Sequence, residues 1–349
     1  MRTLLQGVGG IGGVVAATLL RAGFADLQLV TGNAQLAEAI HRDGLRVRER
    51  DGSTFVARPT LPPSPTVPEG GGPYELIVLV TQTPRLAEAL QASQAQLSPT
   101  GVVLCLQNGL PEAHAEAIVG QGRALGGVVS WAASMTAPGE YVRTTPGAIH
   151  LGWPGRPADA QLKAVAAALA PTGDVHVTDN LLGVRWSKLA INATITTMGA
   201  IVRQPLGRLI DDAPVRDLAL HVFSEAVDVC DALGVRLETV TGTFPLARLA
   251  LGPAERRSPG LFARAWRHLA LRLVGARYSG ARSSMLYAIE RGRPPEVDYI
   301  NGEIVRSGAK LGVPTPVNTE LVRLVHEIAA KRLPHGFEPL HTLRDTVMH

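Results

Sequence analysis

The stretch that decides the fold is Thr3-Leu4-Leu5-Gln6-Gly7-Val8-Gly9-Gly10-Ile11-Gly12. Residues 3–6 predict a buried strand, and the run from Gly13 to Ala22 predicts a helix directly after the glycines. The first glycine of such a turn permits the tight bend, the second lets a pyrophosphate approach the backbone, and the third lets helix pack on strand. The helix N-terminus then offers N–H groups to the phosphates. Residues 7–12 therefore predict a dinucleotide site, the alternative being a glycine-rich connection that binds nothing.

The second predicted strand, Leu27–Thr31, bears on which dinucleotide is bound. A carboxylate commonly ends this strand and holds the ribose hydroxyl of NAD, but here the chain reads Val30-Thr31-Gly32-Asn33. Because no acid is present to repel the extra phosphate of NADP, we favour NADP, with NAD as the alternative. Thr31 and Asn33 are the candidate phosphate donors.

The first half of the chain alternates short apolar runs with amphipathic stretches, which is typical of a parallel sheet flanked by helices. A segment rich in proline and glycine, Arg58–Pro73, predicts a surface loop before the third strand. The remaining expected strands are Leu76–Val80, Val102–Leu106 and Leu125–Ser130, and a helix is expected after each of the first four strands. Short strand pairs are expected at Gly139–Arg143 and Ala148–Gly152.

The second half changes to long helical patterns, such as Trp186–Ile201 and Val215–Leu233, with Gly234 as a helix stop. We place the boundary near Val177–Leu181. The sequence thus predicts a Rossmann-type α/β dinucleotide-binding domain over residues 1–178 and an all-helical substrate and catalytic domain over residues 179–349.

Composition limits the classes of protein. A length of 349 residues suits two domains, and 46% hydrophobic with 18% charged residues is typical of a folded globular chain. The apolar stretch Ile11–Leu20 is too short to span a bilayer. Two cysteines, Cys105 and Cys230, are neither a disulfide framework nor a metal cluster, so we expect a cytoplasmic protein without a metal. The net charge of +4 is only mildly basic.

Four segments carry candidate chemistry, and each also has a plain structural interpretation. Asn108 follows the fourth strand, where open α/β sheets bind ligands, although Asn-Gly is also a common turn. Lys188 and Asn192 lie one helical turn apart. The apolar neighbours of Lys188 would lower its pKa toward a range useful for proton donation. The alternative is a lysine whose amine reaches solvent or pairs with an acid. Ser284 and Glu296 follow, and both are also typical of helix starts.

Five motifs, taken in their order along the chain, resemble those of the ketopantoate reductase family, and they span nearly the whole chain. They are the glycine turn, the Asn-Gly pair, the K-L-x-x-N helix, Ser283-Ser284-Met285-Leu286 and Glu296-Val297-Asp298-Tyr299-Ile300-Asn301-Gly302. The resemblance implies a Rossmann-type domain followed by a helical domain similar to that of 6-phosphogluconate dehydrogenase, with the site in the cleft between them. It also implies NADPH-dependent reduction of 2-dehydropantoate to pantoate, a step toward pantothenate and coenzyme A.

The resemblance assigns roles residue by residue. Lys188 is similar to the family's catalytic lysine, and Glu296 to the acid that assists substrate binding and turnover. Asn108 is similar to the asparagine near nicotinamide and substrate, Asn192 to a substrate-binding asparagine, and Ser284 to the serine that holds the substrate carboxylate.

The chain departs from the family at three places. Thr31 or Gly32 stands where a basic residue often binds the NADP phosphate, Gln82 where a lysine often follows the third strand, and Thr196 where a second asparagine lies beyond the catalytic lysine. We keep Gln82 as a cofactor contact and Thr196 as a substrate contact. A reductase of a different 2-oxo acid, a β-hydroxyacid dehydrogenase and a non-catalytic NADP-binding sensor remain rival interpretations.

The segment Leu261–Arg277 predicts a basic amphipathic helix. We expect its apolar side to pack on its own domain or on a second subunit, rather than on a membrane or nucleic acid. The expected partner is a small 2-oxo acid, and the expected assembly is a monomer or a homodimer.

Overall fold

The computed structural model describes residues 1–240, 245–257, 260–277 and 279–348, with only the backbone of Arg257 and Arg277. The chain divides into two compact units, Met1–Leu181 and Leu182–His349. The Arg277 side chain, at the end of the predicted basic segment, lies outside the described residues.

The first unit is built on a seven-stranded sheet. Its five central strands are parallel neighbours in the order 27–30, 3–6, 74–79, 97–105 and 124–129. Residues 149–152 then run antiparallel to residues 124–129 and parallel to residues 175–177. All five predicted strands are present, with ends shifted by a few residues. The strands are β1 (Thr3–Gln6), β2 (Leu27–Val30), β5 (Tyr74–Leu79), β6 (Leu97–Cys105), β7 (Ala124–Val129), β10 (Ile149–Gly152) and β11 (Val175–Val177).

Helices flank both faces of this sheet, as the alternating pattern predicts. Successive residues of each strand enter different cores: Leu5 and Val78 pack in one cluster, whereas Leu4 and Ile77 pack in the other. The helices are α1 (Gly10–Arg21), α2 (Ala34–Asp43), α3 (Leu86–Gln91), α4 (Glu112–Val119) and α5 (Ala160–Leu169).

A second, four-stranded sheet was only partly predicted. It contains β3 (Leu45–Arg48), β4 (Thr54–Ala57), β8 (Ala133–Ala137) and β9 (Glu140–Arg143), in the order β4-β3-β9-β8. The two short segments expected near residues 139–152 therefore belong to different sheets, because β9 pairs with β3 and β8 while β10 pairs with β7.

The second unit is helical throughout its described residues, which confirms the predicted fold class. Gly234, at φ +67°, follows the end of α8 as expected. No helix in the described ranges is long and apolar enough to cross a membrane. The helices are α6 (Leu181–Val202), α7 (Leu206–Asp211), α8 (Ala213–Ala232), α9 (Leu246–Leu249), α10 (Pro253–Arg257), α11 (Leu261–Arg277), α12 (Ser284–Glu290), α13 (Asn301–Leu311), α14 (Pro316–Ala329) and α15 (Glu338–Met348).

A buried polar network joins four of these helices. Asn301 Nδ2 donates to the Ala193 carbonyl at 3.0 Å and to Asn318 Oδ1 at 2.9 Å, and Thr197 Oγ1 donates to Asn301 Oδ1 at 2.6 Å. The Glu225 carboxylate accepts from Asn318 Nδ2 at 2.7 Å and from two backbone N–H groups at the start of α14. Because buried polar groups are costly unless paired, this network fixes α6 against α13.

Candidate active site

The carboxyl edge of the first sheet gathers the predicted cofactor residues. Because β6, β5, β1 and β2 are adjacent and parallel, the loops that follow them emerge side by side. These loops carry, in that order, Asn108, Gln82, the glycine turn at residues 7–12, and Thr31 with Asn33. The structure thus brings together residues that span a hundred positions of sequence.

The glycine turn has the shape that a dinucleotide phosphate requires. Gly7 has φ +101°, and a Cβ there would lie 2.6 Å from the Thr81 nitrogen. A Cβ at Gly12 would overlap the Gly7 carbonyl oxygen, whereas a Cβ at Gly9 would meet no described atom within 4 Å. Gly9 caps α1 without a side-chain hydrogen bond, so the helix N-terminus opens onto this space. The turn therefore fits the phosphates of a dinucleotide.

The second sheet holds this turn in place, which sequence reasoning missed. The Tyr141 hydroxyl on β9 donates to the Val8 carbonyl at 3.1 Å, and a Cβ at Gly13 would collide with the Tyr141 ring. Tyr141 is buried, and burial raises its pKa far above the usual value, so it stays a neutral donor. Sequence reasoning could not find this contact, because the two residues are 133 positions apart and a local pattern shows only near neighbours along the chain.

Thr31 and Asn33, the candidate phosphate donors, already have partners within their loop. Thr31 Oγ1 donates to the Asn33 carbonyl at 2.7 Å, and Asn33 Oδ1 caps α2 by accepting from the Leu36 N–H at 3.0 Å. A cation that the sequence analysis did not single out lies nearby: Arg85 Nη1 is 3.7 Å from the position of a Cβ on Gly32. Arg85 follows β5 and pairs with Glu88 at the surface at 2.7 Å.

Hydrogen bonds tie the loop after β5 to the loop after β6. Thr83 Oγ1 donates to the Asn108 carbonyl at 2.9 Å, and Gln107 Nε2 donates to Thr81 Oγ1 at 3.0 Å. Asn108 is half-buried, so its position is fixed while part of its surface stays accessible.

Three of the predicted substrate and catalytic residues of the second unit lie on one face of α6. Lys188, Asn192 and Thr196 follow one another at intervals of four residues, which places them on one stripe of the helix. Ser283 Oγ donates to the Thr196 carbonyl at 2.5 Å and caps α12, so α12 begins against this stripe. Ser284 is exposed at the first position of α12. Thr196 Oγ1 donates to the Asn192 carbonyl at 2.6 Å within α6.

The surroundings of Lys188 hold its pKa below the ordinary value of a lysine. The pKa of Lys188 is lowered to about 8, mainly by burial and also by repulsion from Arg185, while attraction to Glu296 acts in the opposite direction. Glu296 is buried in a short helical turn just before α13. An amine with this pKa is mostly protonated at neutral pH yet gives up its proton readily, as a general acid must.

Comparison with known proteins identifies the family. Residues 4–155 match the model of ketopantoate reductase PanE/ApbA, and residues 180–329 match that of its C-terminal domain. The 2-dehydropantoate 2-reductase of Mesorhizobium japonicum is 27% identical, over 95% of this chain and 99% of its own length. That of Halobacterium salinarum is 28% identical, over 93% of this chain and 98% of its own.

Solved structures show the same fold. The ketopantoate reductase of Ralstonia eutropha superposes with a TM-score of 0.76 at 26% identity, covering 95% of this chain and 99% of its own. A D-mandelate dehydrogenase with NADH and anilino(oxo)acetate gives a TM-score of 0.78 at 23% identity, covering 95% of this chain and 99% of its own. Two domain models that span most of the sequence, relatives along nearly its full length and the shared fold together establish that the chain is an oxidoreductase and belongs to the ketopantoate reductase family.

Proposed function

We propose that the protein reduces 2-dehydropantoate to pantoate with NADPH, in the synthesis of pantothenate, and that Lys188 is the general acid. The observation that carries the proposal is a lysine with a pKa lowered to about 8 on the same helical face as Asn192 and within the field of Glu296. The curated relatives named 2-dehydropantoate 2-reductase support the choice of substrate.

A dinucleotide bound at the glycine turn would supply the hydride, and the residues of this chain stabilise the developing charge and position the substrate. As hydride reaches the ketone carbon, negative charge develops on its oxygen. The Lys188 ammonium stabilises that charge and donates the proton that completes the alcohol. Glu296 keeps Lys188 protonated at neutral pH, because its attraction opposes the effect of burial. Asn192, Ser284 and Asn108 hold the substrate by hydrogen bonds, with Ser284 on its carboxylate.

Replacing Lys188 tests the assignment of the acid. We expect Lys188→Ala to lower kcat at saturating substrate by about 100- to 10,000-fold, the usual contribution of a general acid. The matched control is Lys310→Ala, since Lys310 is an exposed lysine on α13. Turnover by Lys188→Ala close to that of the unmodified enzyme would show that another group supplies the proton.

Arg85 supports the choice of NADPH. Its guanidinium lies beside Gly32, at the end of the strand where this chain has no carboxylate to repel a phosphate. The ion pair with Glu88 is largely exposed, and such pairs contribute little, so the guanidinium can turn to a phosphate dianion at small cost. We therefore assign the 2′-phosphate to Arg85, with Thr31 and Asn33 supplying backbone and side-chain contacts around it.

A binding experiment tests this assignment without turnover. We expect Arg85→Ala to weaken the binding of 2′,5′-ADP by about tenfold or more, as for a lost charge-assisted hydrogen bond. The affinity for 5′-AMP, which lacks the 2′-phosphate, should not change, and calorimetry measures both. Arg42→Ala is the control, because Arg42 is an exposed arginine paired with an acid on α2. Equal weakening of both nucleotides, or of neither, would contradict the role of Arg85.

A second candidate is the reduction of a different 2-oxo acid by the same residues. It is favoured by Thr196, whose hydroxyl is bonded to the Asn192 carbonyl, and by Gln82 in place of the expected lysine. A panel of 2-oxo acids assayed with NADPH and with NADH decides between the two. A higher kcat/KM for another 2-oxo acid than for 2-dehydropantoate would establish the second candidate.

A further inference from the structure

Helix α11 turns its apolar side outward. Phe262 is 92% exposed, Leu269 59% and Leu273 60%, and Trp266 and Leu261 are also exposed. The sequence predicted that this side packs on its own domain or on a second subunit, and the first of these alternatives is wrong for the described residues. An exposed apolar stripe of this kind marks an interaction surface.

Three basic residues of α11, Arg264, Arg267 and His268, turn inward and lie against acids. Arg264 meets Asp217 at 2.6 Å, and Arg267 meets Glu255 at 2.8 Å. His268 Nε2 lies 3.0 Å from Asp217 as well. These pairs attach the helix to α8 and α10, so they determine which face is left outside. The outward orientation of the apolar stripe therefore follows from these partly buried ion pairs.

The stripe has the spacing of a helix-packing seam. Its residues follow one another at intervals of four, three, four and three, which is the pattern of core positions in paired helices. This seam consists of Phe262, Trp266, Leu269, Leu273 and Ala276.

The area of the seam is close to what a dimer needs. With about 150–250 Å² for a large side chain, the exposed fractions correspond to roughly 600 Å² of apolar surface. The largest apolar patch of a typical monomer is about 300–600 Å², and each partner in a stable complex contributes about 800 Å².

We propose that a second copy of this chain covers the seam, with the two α11 helices antiparallel about a twofold axis near Leu269. In this register Leu269 meets Leu269, Phe262 meets the small Ala276, and Trp266 meets Leu273, so large and small side chains alternate across the interface. A parallel pair would instead place Phe262 on Phe262 and Trp266 on Trp266.

Charge is consistent with the antiparallel arrangement. Arg272 is the exposed cation of this face among the described side chains, and the antiparallel register places it opposite Ala265 of the partner copy. This register therefore brings no like charges together along the seam. The same scarcity of outward cations disfavours an anionic membrane or nucleic acid, because Arg264 and Arg267 are already neutralised by acids.

The oligomeric state of the full chain tests the proposal. We expect light scattering after gel filtration to give twice the chain mass of 36.9 kDa at micromolar concentration. Leu269→Glu should raise the dimer Kd by about 30-fold or more, as for a central interface residue, with unchanged circular dichroism. Leu311→Glu is the matched control, since Leu311 is a 41% exposed leucine on α13, and it should stay dimeric. A monomeric unmodified chain, or Leu269→Glu that dimerises normally, overturns the proposal.

Cross-linking tests the register and keeps the proposal falsifiable if Leu269→Glu misfolds. Leu269→Cys should form a disulfide-linked dimer on mild oxidation, because the two copies of residue 269 meet at the twofold axis. The natural Cys105 and Cys230 are buried, so they should not form cross-links of their own. Phe262→Cys should not form such a dimer, since it would lie about 20 Å from its own copy at about 1.5 Å per residue. Cross-linking of both variants or of neither overturns the antiparallel pair, and so does co-sedimentation of the unmodified chain with phosphatidylserine vesicles as a monomer.

Discussion

Replacing Lys188 with methionine should stabilise the protein while abolishing its activity. The pKa of Lys188 falls from 10.5 to about 8 in the folded chain, which corresponds to about 3 kcal/mol of disfavoured charge at neutral pH. Methionine has a similar length and no charge, so it removes this penalty. The lost attraction to Glu296 offsets part of the gain. We expect Lys188→Met to raise the free energy of unfolding by about 1–3 kcal/mol at pH 7.

The gain should depend on pH in a defined direction. Because the folded state lowers the lysine pKa, the unfolded chain binds more protons between pH 8 and pH 10.5. The unfolding free energy of the unmodified protein therefore rises with pH across this window, relative to the variant. The advantage of Lys188→Met is complete below about pH 8 and disappears above about pH 10.5.

Urea unfolding followed by circular dichroism measures the free energy of unfolding at pH 7 and at pH 10. The proteins compared are the unmodified chain, Lys188→Met and the exposed-lysine control Lys310→Met. We expect the control to change by less than about 0.5 kcal/mol at both pH values. If Lys188→Met were less stable than the unmodified protein at pH 7, or if its advantage were the same at pH 10, burial would not be the cause of the lowered pKa.

Three further predictions concern stability and the cofactor turn. Burial acts to raise the pKa of Asp217, but hydrogen bonds from His268 and Arg264 outweigh it and lower this pKa to about 2, so stability held above pH 4 is lost as pH falls toward 2. Asp217→Asn should cost about 2–3 kcal/mol in urea unfolding at pH 7, and a difference that persists at pH 2 would contradict this. Gly12→Ala should lower the Tm because its Cβ overlaps the Gly7 carbonyl, whereas Gly9→Ala should keep the Tm and weaken NADPH binding in fluorescence titration. Unchanged binding by Gly9→Ala would argue against a phosphate at that glycine. Asn301→Ala should cost about 2–4 kcal/mol of unfolding free energy, because the buried Thr197 hydroxyl and Asn318 Oδ1 lose their bonds to the Asn301 amide, and a loss below about 1 kcal/mol would show that water replaces the amide.

Features that depend on neighbours along the chain were determined by the sequence alone. The glycine turn was predicted because strand, turn and helix follow one another without interruption from Thr3 to Arg21. Lys188 and Asn192 were placed on one face because helical spacing is a local property. The five parallel strands and the helical second half were confirmed for the same reason, although strand ends shifted by a few residues.

Tertiary structure decided what depends on partners far apart in sequence. The pairing of β3 with β9, the bond from Tyr141 to Val8 and the approach of Arg85 to Gly32 each join segments that no local pattern connects. The outward face of α11 is the plainest case. Its sequence shows an apolar side and a basic side, and only the positions of Asp217 and Glu255 determine that Arg264 and Arg267 face inward. Local periodicity specifies which residues share a face, but the direction of that face depends on the charges packed against it.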